Sequence, residues 1–313
     1  MTQLWDAEQG IDADRAARLI DAQFPALSPA HVQPLGEGWD NAVFVVNGRW
    51  AFRFPRRAVA VPILATEAAL LPDLAPHLTL PIPVPRFEGL PGDGYPWPFL
   101  GYTLLPGTIA ARAGLADAQR AALAAPLAHF LRALHALPPD FALARGVPLD
   151  KIARLDADRR AAVTDERLHM LVQRGVLPSR AVIDAVLATP DGHTASARHL
   201  VHGDLHAGQL LVQTGRDADT ASCALAGVID WGDVHVGDPG TDLAVVHALL
   251  PVAAHERFLA AYGEVDPGRW AAARRRATWH GVALAAYGTD IGDAALVAEA
   301  LGSLRRILGD DMS

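Results

Sequence analysis

Lysine is almost absent from this 313-residue chain: Lys151 stands alone, and every other basic side chain among the 27 Lys plus Arg is arginine. Any cation the chemistry requires is therefore sought among arginines. Cysteine is equally scarce, and the single Cys223 excludes an internal disulfide. No apolar run is long enough to span a bilayer, and the first residues lack the basic-then-apolar pattern of a secretory signal. Positive charge is also in deficit, with 27 Lys plus Arg against 35 Asp plus Glu and a formal charge of -8. That balance argues against a sequence-independent nucleic-acid binder and permits a cationic partner. These absences predict a soluble, cytoplasmic protein with neither nucleic acid nor membrane as partner, a monomer or weak dimer. With 51% apolar and 20% charged residues, the chain is expected to fold throughout, as one large domain or as two lobes.

The pattern along the chain favours two lobes. Residues 12–23 place Asp12 as an N-cap before apolar side chains at helical spacing, and Pro25 follows as a stop. Runs 42–46 and 50–54 flank Asn47-Gly48, a pair that accepts the positive φ angles of a hairpin turn. In the second run Trp50, Phe52 and Phe54 share one face, which directs Arg53 to the other. A helix over 59–75 carries Glu67, and strands over 84–89 and 99–105 follow across a Gly/Pro-rich turn. Pro106-Gly107 marks the boundary, giving a β-rich N-terminal lobe 1–105 and a mainly helical C-terminal lobe 106–313. In the second lobe Leu123, Leu127, Phe130, Leu131, Leu134 and Leu137 trace one helical face, two helices are expected between 151 and 188, and short strands fall near 200, 211 and 228. Helices close the chain, over roughly 241–250, 254–262, 267–287 and 293–308.

The chemistry concentrates between His199 and Leu243. Asp204 and Gln209 bracket a tight loop behind His202-Gly203, and Asp230 ends an apolar strand over 225–229. Two carboxylates and an amide oxygen suit Mg²⁺, a hard ion that takes oxygen ligands and keeps water and phosphate in its shell. One carboxylate then remains as a base. That division is the one phosphoryl transfer uses: one Asp for the acceptor hydroxyl, a second Asp with an amide for the metal.

The segments His202-Gly203-Asp204-Leu205-His206-Ala207-Gly208-Gln209, Ile229-Asp230-Trp231, Asp238-Pro239 and Asp242-Leu243-Ala244 resemble the aminoglycoside and macrolide phosphotransferase family. The resemblance extends upstream through Leu35-Gly36-Glu37-Gly38-Trp39-Asp40-Asn41, Arg53, Glu67, the stretch 99–107 and Phe130-Leu131-Arg132-Ala133-Leu134-His135, covering roughly residues 30–290. It implies an α+β, bilobal, protein-kinase-like fold and ATP or GTP as phosphoryl donor. It also implies Asp204 as catalytic base, Gln209 and Asp230 as ligands of Mg²⁺, and Arg53 with Glu67 as the ion pair that positions the nucleotide phosphates, beneath the Gly36/Gly38 turn. Two positions depart from the family pattern. Gln209 stands where the family usually has Asn, sometimes His, and brings an extra methylene. Arg53 stands where it usually has Lys, so a fixed fork of donors replaces a point charge.

The acceptor is expected to be a small hydroxylated molecule, aminoglycoside-, macrolide- or amino-alcohol-like. Asp233 and Asp238 are candidate substrate contacts, and Asp156, Asp158, Asp165, Glu166 and Asp290 offer further negative charge for an amine or simply a solvated helical surface. His202 is expected as a structural loop residue, His135 as a buried hydrogen-bonded one, and Asp242 as an N-cap. His206 and Trp231 either line the site or pack. Two other functions compete. A metal-dependent phosphoesterase would use His199, His202, Asp204 and His206, although the blocks that complete a two-metal site are missing; a nucleotide-binding protein on the same fold would have weak turnover.

Overall fold

A computed structural model describes residues 7–38, 40–189, 193, 198–215 and 222–309. Trp39 of the upstream motif lies outside them. By contacts the chain divides into two compact units, Met1–His77 with Pro81–Leu105, and Leu78–Leu80 with Pro106–Ser313.

The first unit begins with α1 (Ala13–Gln23), where the Asp12 side chain accepts from the Arg15 amide and caps the helix. Strands β1 (Val32–Glu37), β2 (Asn41–Val46) and β3 (Trp50–Pro55) lead to α2 (Ala60–Leu74), then β4 (Pro85–Gly89) and β5 (Phe99–Thr103). They form one five-stranded antiparallel sheet in the order β1-β2-β3-β5-β4. The hairpin turn between β2 and β3 forms where expected. Asn47 and Gly48 take φ of 53° and 66°, and the Asn47 amide bonds the His31 N–H and the Leu27 carbonyl, which explains asparagine there.

One face of this sheet is aromatic. Phe44, Phe52, Phe54 and Phe99 are buried against Ala16, Leu19 and Ile20 of α1, with Phe54 stacked on Phe99 at 4.4 Å. Two glycines let the rings lie flat. Gly101 sits opposite Phe52 and Gly89 opposite Phe99 in the strand register, and a Cβ on either would fall within 2.6 Å of the facing ring. Alternation along β3 sends Arg53 to the other face, where α2 supplies Glu67.

The second unit opens with β6 (Thr108–Ile109), α3 (Asp117–Ala122), α4 (Ala124–His135) and α5 (Pro139–Leu143). The expected apolar face of α4 is interior, with Leu127, Phe130, Leu131 and Leu134 buried. Pro126 is accommodated in the first turn of α4, where its missing N–H costs no helical bond. Next come α6 (Ala157–Gln173), α7 (Ala181–Ala188), β7 (His199–Val201), β8 (Leu210–Thr214), β9 (Cys223–Val228) and β10 (His235–Gly237). Four helices finish the described chain: α8 (Gly240–Leu249), α9 (His255–Tyr262), α10 (Pro267–Ile291) and α11 (Ala294–Leu308). The strands form two small antiparallel sheets, β10-β7 and β6-β8-β9.

Helix α10 organises the helical part. Its Ala277, Ala285 and Gly281 face buried Leu304 and Ala300 of α11, and the small side chains let the two axes approach closely. Among the described residues no helix is long and apolar enough to cross a membrane.

The ring-over-glycine register gives a direct test. Gly101→Ala forces a methyl into the Phe52 ring and should destabilise the protein by about 1–3 kcal/mol, measured by denaturant unfolding. An unchanged midpoint would show that the ring moves aside freely.

Candidate active site

In the first unit the site residues converge on Arg53. Its Nη1 donates to Oε1 of Glu67 at 2.6 Å, and the Tyr102 hydroxyl donates to Oε2 of the same carboxylate at 2.8 Å. With its amide oxygen turned inward, Asn41 accepts from Nε and Nη2 of Arg53, both at 3.0 Å. Glu67 is 2% exposed, so this is an ion pair largely withdrawn from water, and removing either partner of such a pair typically costs about 3–5 kcal/mol. Gly36 and Gly38 lie at the exposed end of β1, where a bulge interrupts the register and the Gly38 N–H closes on the Asn41 carbonyl at 2.9 Å. Nothing lies within 4 Å of a Cβ built at Gly36, so that turn is open above its backbone.

In the second unit the loop after β7 carries Asp204. Gly203 adopts φ of 93°, and a Cβ there would sit 2.1 Å from the Asp233 carbonyl oxygen, so only glycine fits. The loop is held from beneath by Asp242, which is fully buried. Its Oδ2 accepts from the His202 amide at 2.8 Å, its Oδ1 from the Gly203 amide at 2.9 Å, and His135 Nε2 lies 3.1 Å from Oδ2. Burial raises the Asp242 pKa, but the bond to His135, the His135 and His202 imidazoles and the Gly203 amide outweigh it and hold the carboxyl below its usual range. The N-cap expected of Asp242 is thereby corrected: Pro239 precedes α8, and the Asp242 side chain turns away from its own helix toward the loop.

Helix α10 approaches the same loop. Arg276 donates to the Gly203 and Thr241 carbonyls, each at 3.0 Å, and its Nη2 lies 3.6 Å from Asp204 Oδ1. One turn on, His280 Nε2 is 3.3 Å from the same oxygen, and His206 Nε2 is 3.9 Å from Oδ2. Burial alone would raise the Asp204 pKa; the bond to His280, with the charges of His280, His206 and Arg276, reverses this and keeps the carboxyl ionised well below the usual range. His206 is pushed down to about 4, chiefly by burial.

Gln209 and Asp230, distant in sequence, meet through the β8–β9 hairpin. Leu210 pairs with Val228, the Ile229 amide donates to the Gln209 carbonyl at 2.9 Å, and the two side chains thus leave the same end of the ladder. Gln209 Oε1 is buried with no hydrogen-bond partner, an acceptor left without a donor. Asp230 is exposed and holds φ of 63°, a left-handed conformation worth about 1 kcal/mol or more of strain. A buried amide oxygen lacking a donor beside an exposed carboxylate fits a hard cation.

His135 and His202 are buried and hydrogen-bonded, and Trp231 packs against His202 at 4.9 Å. Asp238 departs from expectation. It is 5% exposed, with Arg269 Nε and the Gly240 amide on Oδ1 and His193 Nε2 near Oδ2, so it braces α8 and α10. Asp233 is exposed and pairs with Arg154. The other acids are mostly engaged: Asp156 caps α6, Asp165 meets Arg180 and Asp290 meets Arg174. The His/Asp cluster a phosphoesterase would need also fails to assemble as expected, because His199 bonds the His135 carbonyl and His202 the Ile229 carbonyl. Sequence reasoning gave no role to Tyr102, which reaches Glu67 from β5, or to Arg276 and His280, which reach Asp204 from α10.

A small antiparallel sheet with a helix on each face, followed by a helical unit that presents an Asp on a short loop together with a carboxylate and an amide, matches the parts of kinase-like phosphoryl transfer. The chain belongs to the phosphotransferase enzyme family, whose sequence model matches residues 31–280. Solved structures agree. The GDP and kanamycin complex of APH(2")-IIia is 27% identical, with a TM-score of 0.70 over 93% of this chain and 97% of that one. The GDP complex of wild-type aminoglycoside 2'-phosphotransferase-IIIa is also 27% identical, with a TM-score of 0.69 over 96% and 100%. The apoenzyme of macrolide 2'-phosphotransferase MphH from Brachybacterium faecium, at 24% identity and a TM-score of 0.59 over 94% and 97%, shares the fold. The protein is a kinase-like phosphotransferase.

Asp242 sets a pH dependence. Its folded pKa is depressed, so its stabilisation is complete above about pH 4, the unfolded range, and is lost as pH falls through the folded value. Asp242→Asn should cost about 3 kcal/mol near neutrality. The gap to wild type should narrow as pH falls below about 4, where Asp242 of the unfolded chain takes up a proton before the folded one does. Denaturant unfolding across pH 3–7 reads this, and a gap independent of pH would contradict it.

Proposed function

We propose that the protein transfers the γ-phosphoryl of ATP or GTP to a hydroxyl of a small aminoglycoside-, macrolide- or amino-alcohol-like acceptor. The observation that carries this reading is the pairing of an Asp204 kept ionised by its neighbours with the donor-less buried oxygen of Gln209 beside Asp230. The GDP in relatives of 27% identity, and the kanamycin in one of them, support a nucleotide donor and a hydroxylated acceptor.

In this scheme the first unit binds the nucleotide. Arg53, aligned by Glu67, Tyr102 and Asn41, presents its charge to the phosphates, and the open turn at Gly36 and Gly38 lets backbone approach them. Gln209 and Asp230 would hold Mg²⁺, which when bound neutralises charge on the phosphates. The extra methylene of Gln209 fits this role, since its oxygen is already buried toward a site with no protein donor. Asp204 accepts the acceptor's hydroxyl proton as the oxygen attacks the γ-phosphorus and the bond to the bridging oxygen breaks, releasing ADP or GDP, and Arg276 anchors the loop so that the carboxylate keeps its place. Exposed Asp233 is available to a substrate amine.

A nucleotide-consumption screen of hydroxylated compounds, with ATP and GTP and with wild type and Asp204→Asn side by side, tests the scheme. The variant should lose transfer by on the order of 10³-fold or more while still shifting its melting temperature with nucleotide. Full turnover in the variant, or none in wild type with any acceptor, defeats the proposal. Gln209→Ala should raise the Mg²⁺ concentration for half-maximal turnover about tenfold or more, measured by Mg²⁺ titration at saturating nucleotide; an unchanged requirement would remove Gln209 from the ligand set.

A further inference from the structure

Asp204, His206 and His280 bring a carboxylate oxygen and two imidazole nitrogens within 4.8 Å of one another, a spacing that a transition metal could exploit. The backbone argues for a different use. The Gly208 N–H donates to Nδ1 of His206 at 3.0 Å, so that nitrogen carries the lone pair and the ring's proton sits on Nε2, facing Asp204. A metal at Nε2 would need that lone pair there. The residue after next is a glycine for a steric reason as well, because a Cβ at 208 would lie 2.5 Å from Cε1 of the imidazole.

His280 approaches the other oxygen. An ionised carboxylate only accepts, so the contact from Nε2 to Oδ1 at 3.3 Å requires an N–H on that nitrogen. Arg276, one turn earlier on α10, offers N–H groups alone. Every polar neighbour in contact with Asp204 is thus a donor, and the two imidazoles flank it with ring centres 5.0 Å apart. Across a cavity of about 40 Å³ beside His280 and His206 lies Glu299 of α11, already bound by Arg120 and Arg306, so it does not compete for either ring.

We propose that His280 is a positioning residue for phosphoryl transfer: its Nε2–H holds Oδ1 of Asp204, His206 faces Oδ2 with a proton fixed by the Gly208 amide, and together they aim the carboxylate at the acceptor hydroxyl. The proposal rests on Asp204 being the base. At 3.9 Å the His206 side of the clamp is within reach of one bridging water, whereas the His280 side is direct. The clamp sets an imidazole against each oxygen of this half-exposed carboxylate.

The test combines ring-nitrogen NMR with kinetics. In the wild-type protein both His206 and His280 should carry the proton on Nε2; a lone pair on His280 Nε2 facing Asp204, or tight binding of Zn²⁺ alone that His206→Ala abolishes, overturns the clamp. His280→Leu should lower kcat on the order of 10- to 100-fold with KM for nucleotide unchanged. It should also move the acid limb of kcat to higher pH, because Asp204 loses the donor that keeps it ionised. His280→Gln, which keeps an N–H at similar reach, should recover most of kcat. Wild-type kcat and an unmoved acid limb in His280→Leu overturn the proposal. Absence of transfer by wild type with every acceptor would instead defeat the assigned reaction, and the NMR result would still decide the clamp.

Discussion

Asp242 is the interaction on which the second unit's chemistry depends. A carboxylate withdrawn from water costs several kcal/mol, and here the amides of His202 and Gly203 with the His135 imidazole offset that cost. The same bonds fix the backbone one residue before Asp204. Arg276 completes the arrangement from the opposite side by holding the Gly203 carbonyl. The loop is therefore gripped at both its N–H and C=O groups, and Asp204 inherits a defined position.

The first unit solves its problem in the same manner with different parts. Strand alternation separates an aromatic face, which packs on α1, from the face bearing Arg53. Glu67 and Asn41 then fix the guanidinium fork from two sides, with Tyr102 holding the other oxygen of Glu67. A lysine would offer a point charge and rotate among partners; arginine in this setting is held as a plane. In a chain with a single lysine, the geometry around Arg53 supplies orientation that the side-chain exchange would otherwise leave loose.

Much of this was legible in sequence because it is local. The Asp12 cap, the Asn47-Gly48 turn, the aromatic alternation of β3 and the apolar face of α4 each depend on residues within a turn or a strand of one another, and each forms as read. The elements that escaped, β6, α3, α5 and β10, are too short to show a period. Site residues divide along the same line. Asp204, Gln209 and Asp230 announced themselves through matched segments, whereas His280 and Arg276 sit mid-helix among alanines and arginines, where nothing in the pattern separates them from their neighbours. Asp238 shows the converse failure: an acid in a promising segment is consumed by Arg269 and the α8 amide, partners that only folding supplies.

The sequence by itself determined the family, the order of the longer strands and helices, and which residue types are available for phosphoryl transfer, because these follow from short-range periodicity and from motifs whose members are nearly contiguous. Tertiary structure decided the rest. It turned Asp242 from an expected cap into the loop's anchor, buried Asp238 against Arg269, left the Gln209 oxygen buried without a donor, and brought His280 to Asp204 from α10. Those outcomes depend on which buried polar atoms find partners, and partners in a folded chain come from wherever packing brings them.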